Sequence, residues 1–223
     1  MRRIVLLAFA LAIGMAGPAS AEWKGCYLSA GVGMSATNNT TDLVSDGTWA
    51  PPGKVLTIGG LGSSGRLGAL GAGCDIQIDK FVVGGFADYA WHDQKFEISS
   101  ALLPGTLASL DINNQWTVGG RAGVVFGNAL VYGLAGYTKV ETSGVVVPVA
   151  NLTLALPAFT GWTFGGGIET PLIENLRISI EYRYTRLDAQ SVGLGGGSGL
   201  ALQMQPEIHT AMARLSYGFN LFK

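Results

Sequence analysis

Charge is scarce in this sequence. Asp, Glu, Lys and Arg make up 13% of its 223 residues, where a soluble domain carries about a quarter. Cysteine is limited to Cys26 and Cys74, and histidine to His92 and His209. Two cysteines without CxxC spacing indicate no zinc or thiol-redox motif, and no metal or cofactor site is expected. A formal net charge of −1 gives no electrostatic case for nucleic-acid binding. A helical membrane span is also missing. Residues 142–168 carry no charged residue and exceed the length such a span needs. They are interrupted by Pro148 and Pro157, end in Gly165-Gly166-Gly167, and are β-branched in their first half. That is strand and loop chemistry.

Glycine, by contrast, is abundant, at 34 residues, and mean hydropathy is positive at +0.34. Little charge with high hydropathy suits a chain partly solvated by lipid. The first residues read as a secretory signal: Arg2 and Arg3, an uncharged apolar stretch over 4–14, then Ala19-Ser20-Ala21 as the cleavage site. The expected organisation is a signal peptide at 1–21 and one domain at 22–223. Cys26 lies too far from the cut for a lipid anchor. Losing two arginines takes the net charge from −1 to −3. A non-helical chain in a membrane has a closed β-barrel as its remaining way to satisfy every backbone hydrogen bond.

Eight segments show the required alternation of about ten residues. The outward sets are Cys26, Leu28, Ala30, Val32 and Met34; Leu70, Ala72, Cys74, Ile76 and Ile78; Phe81, Val83, Ala87, Tyr89 and Trp91; and Trp116, Val118, Ala122, Val124 and Phe126. They continue with Leu130, Tyr132, Leu134 and Val140; Trp162, Phe164 and Ile168; Ile178, Ile180, Tyr182 and Tyr184; and Ala211, Ala213, Leu215, Tyr217 and Phe219. Links after the second, fourth and sixth segments are tight: Asp79-Lys80, Gly127-Asn128-Ala129 and 171–175. The others are long, near 36–65, 93–113, 143–160 and 188–207. Short turns on one side and long loops on the other mark an outer-membrane barrel. The fold class is therefore all-β: an eight-stranded antiparallel transmembrane barrel with short periplasmic turns and long extracellular loops, placed in the cell outer membrane. Aromatic side chains near the ends of the segments fit interfacial girdles.

Several motifs carry a resemblance. Trp23-Lys24-Gly25-Cys26-Tyr27 resembles the W-x-G-x-Y opening of small alphaproteobacterial outer-membrane proteins. Gly161-Trp162-Thr163 with Gly165-Gly166-Gly167-Ile168-Glu169 resembles their GWT-x-GxGxE strand. Residues 176–184 resemble their (K/R)xxxEYRY strand, and His209-Thr210 through Tyr217-Gly218-Phe219 their closing strand. The sequence is similar to the opacity-like or "porin family" β-barrel proteins, whose fold is that of the outer membrane protein A barrel. The resemblance implies an eight-stranded barrel and a structural surface antigen without enzymatic activity. Outer-membrane lipid, the barrel assembly machinery and periplasmic chaperones are the implied partners. The sequence departs from that pattern in its last residues, Asn220-Leu221-Phe222-Lys223, and in its apolar loops.

The inward faces carry Asp88, Arg121, Lys139, Glu141, Glu169, Arg177, Glu181, Arg183 and Arg214. A narrow barrel fills its lumen with side chains, and charges there must pair because desolvation is costly. A salt-bridge plug is expected; the competing reading is a gated ion path or proton-linked site. Catalysis, known in some outer-membrane barrels acting on lipid A, needs a nucleophile and a base. His92 and His209 fall on non-neighbouring strands, and His209 is followed by Thr210-Ala211 without a serine, so no catalytic residue is assigned. Residues 60–65 match G-x-G-x-x-G, but no helical pattern follows to support a dinucleotide site.

Ala101-Leu102-Leu103-Pro104, Val145-Val146-Val147-Pro148, residues 152–156 and Leu200-Ala201-Leu202 are apolar stretches in the long loops. They suit either a host or hydrophobic-ligand contact, or strands that run past the membrane and pack as hairpins. Finally, setting Cys26 opposite Cys74 puts Met34 opposite Arg66 and the long loop beyond them. Both cysteines then point outward at disulfide distance, in a compartment that permits the bond.

Overall fold

The computed structural model describes residues 23–48, 51–99, 106–147, 152–154, 158–193 and 199–219. The expected signal peptide and the Ala101–Pro104 stretch lie outside them. The described residues form strands, turns and short irregular links, with no helix among them.

Among the described residues there are ten strands: β1 (Gly25–Ser45), β2 (Gly53–Ile78), β3 (Phe81–Ser99), β4 (Thr106–Phe126), β5 (Ala129–Val147), β6 (Leu152–Leu154), β7 (Phe159–Ile173), β8 (Leu176–Leu187), β9 (Gln190–Gly193) and β10 (Leu200–Phe219). Eight are long. They pair antiparallel in the order β1-β2-β3-β4-β5-β7-β8-β10, and β10 pairs back onto β1 to close the barrel. β6 and β9 extend the loop side, on β5 and β10.

The register fixes the barrel's geometry. Stepping between direct partners from Cys26 leads through Cys74, Gly85, Gly120, Ala135, Phe164, Tyr184 and His209 back to β1 at Ala36. The circuit returns at position 36 rather than 26, a stagger of 10 residues. Strands in such a barrel tilt by about 35–45°, and eight of them enclose only enough space for side chains.

Outward residues of β3 show the membrane band. Phe81 and Trp91 are exposed and ten positions apart, about 25 Å of height on a tilted strand, the usual apolar thickness. The same interval separates Trp116 from Phe126 on β4. A loop-side belt runs around the wall: Tyr89 faces Trp116, Tyr137 faces Trp162, and Tyr184 faces His209 across strand pairs. Edge-to-face ring contacts at 4.5 Å (Tyr89–Trp116) and 5.8 Å (Tyr137–Trp162) tie it together.

The inward glycines have a steric purpose. A Cβ at Gly71 would collide with the Asp88 carboxylate, and one at Gly84 with that of Asp75.

The cysteines pair as the register argument requires. Cys26 is bonded to Cys74, and Met34 stands opposite Arg66.

Three sequence expectations need correction. The first concerns β5. Leu130, Tyr132, Leu134 and Val140 are buried in the lumen rather than set against lipid, and Gly133, Ala135, Tyr137, Lys139 and Glu141 face outward. The cause is one residue of turn. The β4–β5 hairpin turns on Gly127 and Asn128 alone, with Phe126 opposite Ala129 and Val125 opposite Leu130. A three-residue turn would put Phe126 opposite Leu130 and reverse every side chain of the strand. Gly127 takes φ +58°, the left-handed conformation that a two-residue hairpin turn draws from glycine.

The second correction is at the third turn. It is Glu174–Asn175, and Pro171 lies within β7 beside a register shift. A bulge tolerates a residue without an N–H.

The third is the extent of the loops. β1 and β2 pair out to Ser45 and Gly53, and β3 and β4 out to Ser99 and Thr106. β5 continues to Val147, where Val145–Val147 pair with β6, and Leu202 stands opposite Leu43. Much of the expected loop is thus paired strand, as the hairpin reading held. Alternation fades there because neither face meets lipid.

Candidate functional site

The lumen is filled in layers. At the turn end Trp23, wholly buried, packs with Val82 and Leu130. Its indole N–H donates to Glu169 Oε1 at 3.1 Å, and its backbone N–H to Gln77 Oε1 at 2.7 Å.

Directly above lies the first ion cluster. Arg121 donates from Nε to Asp75 Oδ1 at 3.0 Å, from Nη2 to Asp75 Oδ2, and from Nη1 to Glu169 Oε2 at 2.9 Å. Arg177 Nη1 reaches Glu169 Oε1 at 3.0 Å. The Tyr27 ring sits 4.6 Å from the Arg121 guanidinium and 5.4 Å from that of Arg177, a geometry for cation–π attraction.

The second cluster is joined to the first by Tyr132, whose ring lies 5.1 Å from the Arg121 guanidinium and whose hydroxyl donates to Glu181 Oε2 at 2.8 Å. Arg183 binds Asp88 at 2.6 Å and Glu181 at 2.5 Å. Arg214 binds Asp88 at 2.7 Å and the Ser29 hydroxyl at 3.0 Å. Asp75, Asp88, Glu169 and Glu181 are thus matched by Arg121, Arg177, Arg183 and Arg214, all buried. The gap left between the clusters is about 10 Å³, no more than one water's space.

Toward the loops, hydroxyls form a chain across four strands: Thr117 to Thr138 at 3.0 Å, Thr138 to Thr163 at 2.5 Å, and Thr163 to Thr185 at 2.7 Å. The two middle hydroxyls, Thr138 and Thr163, each give one hydrogen bond and take one, so the row links four strands without charge. His92 lies between Ser35 Oγ at 3.3 Å and Gln115 Oε1 at 3.1 Å. Val140, Phe159, Leu187 and Ile208 then form an apolar layer at the loop end.

Of the nine charges assigned to the interior from sequence, seven meet here: Asp88, Arg121, Glu169, Arg177, Glu181, Arg183 and Arg214. Lys139 and Glu141 do not. They sit on the outside of β5, about half exposed, 3.5 Å from each other, for the turn reason given above. Lys139→Gln is accordingly expected to change stability by less than about 1 kcal/mol, as for exposed ion pairs generally; urea titration of the refolded protein measures it. Sequence reasoning omitted Asp75 from the charges, although the same alternation already placed it inward. Tyr27 was on the inward face without an assigned partner, and Tyr132 was set on the wrong face. Trp23 precedes the first strand, where no periodicity points to its burial. His209 is outside the barrel, its Nδ1 2.7 Å from the Tyr182 hydroxyl. It is remote in topology from His92, since β3 and β10 are not neighbours. Among the residues whose side chains are described, no group of three or more His, Cys, Asp or Glu could hold a metal ion.

The sequence matches the family model "Outer membrane protein beta-barrel domain" over residues 5–219. The chain belongs to that family. Among solved structures it is similar to the outer membrane protein OprG from Pseudomonas aeruginosa, at 16% identity and a TM-score of 0.57, covering 89% of this chain and 98% of that one. It is more distantly similar to AlkL (14% identity, TM-score 0.46, covering 93% and 97%) and to Ail of Yersinia pestis (14% identity, TM-score 0.41, covering 86% and 99%). At these identities the likeness is one of fold. No curated protein sequence matches the chain. The protein is an outer-membrane β-barrel in a lipid environment, and the exposed apolar side chains of its membrane band, Phe81, Val83, Val118 and Ile180 among them, face that lipid.

Proposed function

We propose that this barrel is a structural, non-enzymatic surface protein that contributes to envelope integrity, with a sealed lumen. The observation that carries the reading is the filling of the lumen. Four carboxylates and four guanidiniums are matched in its middle, with Trp23 and an apolar layer at its two ends. A continuous solute path would need to open both layers and break charge pairs whose separation in a dry interior is costly. The nine-residue interior set read from sequence becomes, in this proposal, an eight-residue plug with Asp75 in place of Lys139 and Glu141.

In planar bilayers the purified protein is expected to give no stable open channel. Large, long-lived single-channel currents would sink the sealed-lumen reading and favour a small-solute pore. Envelope integrity is tested separately: a deletion strain should become sensitive to detergent and recover with the wild-type gene.

A second reading, surface binding of a host or hydrophobic ligand, is favoured by Val55 and Leu56, which stand 48% and 54% exposed on β2 beyond the membrane band. Replacing both with Ser should abolish cell-surface adhesion if they carry it, and leave detergent resistance intact.

A further inference from the structure

The threonine row of the loop-side lumen continues past Thr117 to a side chain that can titrate. Nε2 of His92 faces the Gln115 carbonyl oxygen at 3.1 Å, which only accepts, so Nε2 carries the proton. Nδ1 of the neutral ring is then bare and accepts from the Ser35 hydroxyl at 3.3 Å. Gln115 passes the direction on, donating from Nε2 to Thr117 Oγ1 at 3.4 Å, where the threonine row begins. One line of donors and acceptors therefore runs from Ser35 on β1 through His92 on β3 to Thr185 on β8. The backbone is least regular at the titratable member. A register shift against β4 falls between Trp91 and Gln94, so His92 stands at a break in that ladder, the kind of place where a strand re-aims a side chain.

Among the described side chains no carboxylate is placed to compensate a charge on this ring. Its direct partner on β2 is Leu67. β1 presents Ser35, β4 presents Gln115, and Thr210 of β10 stands opposite Ser35. Leu67, Ala69, Ala90 and Met212 form an apolar cluster between His92 and Asp88, and Asp88 is already held by Arg183 and Arg214. Arg66 and Asp93 are beside it in sequence and ladder, but they stand opposite each other and are exposed on the outer wall. Protonation therefore adds a donor at Nδ1, where Ser35 already donates, and sets a charge among neutral groups, which is costly. The ring is partly exposed, so leaving Ser35 and Gln115 for water at the loop-side mouth relieves both.

We propose that His92 is an acid-operated latch: once protonated, the ring leaves Ser35 and Gln115, and the loop-side lumen loosens while the ion clusters below stay closed. This rests on the sealed-lumen reading but is tested without conductance, so open-channel currents at neutral pH and a failed latch are separate results. The closed barrel holds a neutral ring and the loosened one binds the proton, so the equilibrium moves toward the loosened form as pH falls. With an ordinary imidazole pKa of about 6.5 in the loosened form, one proton shifts it about tenfold between pH 7.5 and 5.5. Hydrogen exchange of the folded protein in detergent, corrected for the chemical rate at each pH, should show that loss of protection in residues 114–118. It should show none in 177–183, the β8 segment of the ion clusters. His92→Gln should abolish the change, and His209→Gln, on the outer wall, should retain it, with heat-modifiability showing that both variants are folded. Ring nitrogen chemical shifts of the wild-type protein, which need no variant, should report a neutral His92 with its proton on Nε2 at pH 7.5. Equal protection at the two pH values, a loss that persists in His92→Gln or extends to 177–183, or a His92 ring that is charged or carries its proton on Nδ1 at pH 7.5 would each overturn the proposal.

Discussion

Arg121→Ala is expected to cost about 3–5 kcal/mol, the usual loss when one member of a buried ion pair is removed. Arg121 holds two carboxylates at once. Glu169 keeps Arg177 and the Trp23 indole after the substitution, whereas Arg121 is the cation described against Asp75. Asp75 is only 3% exposed, so its charge would be left buried without its partner. Arg214→Ala should be milder, because Asp88 retains Arg183. The double variant Arg121→Met, Asp75→Asn separates charge from packing, because Glu169 keeps Arg177 as its partner. Replacing a buried ion pair by neutral groups of similar volume is often close to neutral. Recovery of most of the loss in urea titrations of protein refolded into vesicles would assign it to the uncompensated charge. No recovery would assign it to the lost stacking on Tyr27 and Tyr132.

Removing the Cys26–Cys74 bond, by reduction or as the double alanine variant, is expected to cost roughly 3–4 kcal/mol. The bond closes 47 intervening residues, 27–73, and the chain-entropy model gives that figure for such a loop. The bond ties β1 to β2 near the turn end, below the long extension those two strands share. The loss therefore acts through the unfolded chain, and the folded barrel should keep its strand content by circular dichroism when reduced. Labelling the denatured, unreduced protein should find no free thiol. Two labels per chain would rule out the bond, and unchanged stability on reduction would rule out the entropic account.

Much of the architecture was legible in the sequence because lipid outside and packed polar groups inside impose opposite chemistry on alternate residues. That contrast marked eight strands, set the inward face of seven of them, and placed Cys26 opposite Cys74. Where the contrast weakens, the pattern stops being informative. On β5 both faces can be read as apolar: Leu130, Tyr132 and Leu134 alternate with Val131, Gly133 and Ala135, and hydropathy favours the larger set. A hairpin turn one residue shorter than expected decided the matter, and only the ladder records it. The same step moved Lys139 and Glu141 outside and brought Tyr132 in to join the two ion clusters.

The extensions beyond the membrane were hidden for a related reason. Water surrounds them, so the alternation that lipid enforces is not required of their side chains. The partners inside the lumen depend on distance across the barrel, where Asp88 meets Arg183 and Arg214 from positions 95 and 126 residues away. By itself the sequence determined which residues face inward along most strands, since that follows from a period of two. Which of them touch, that Trp23 closes the turn end, and that the charges balance were decided by the tertiary structure, because the 10-residue stagger sets the heights at which side chains from different strands meet.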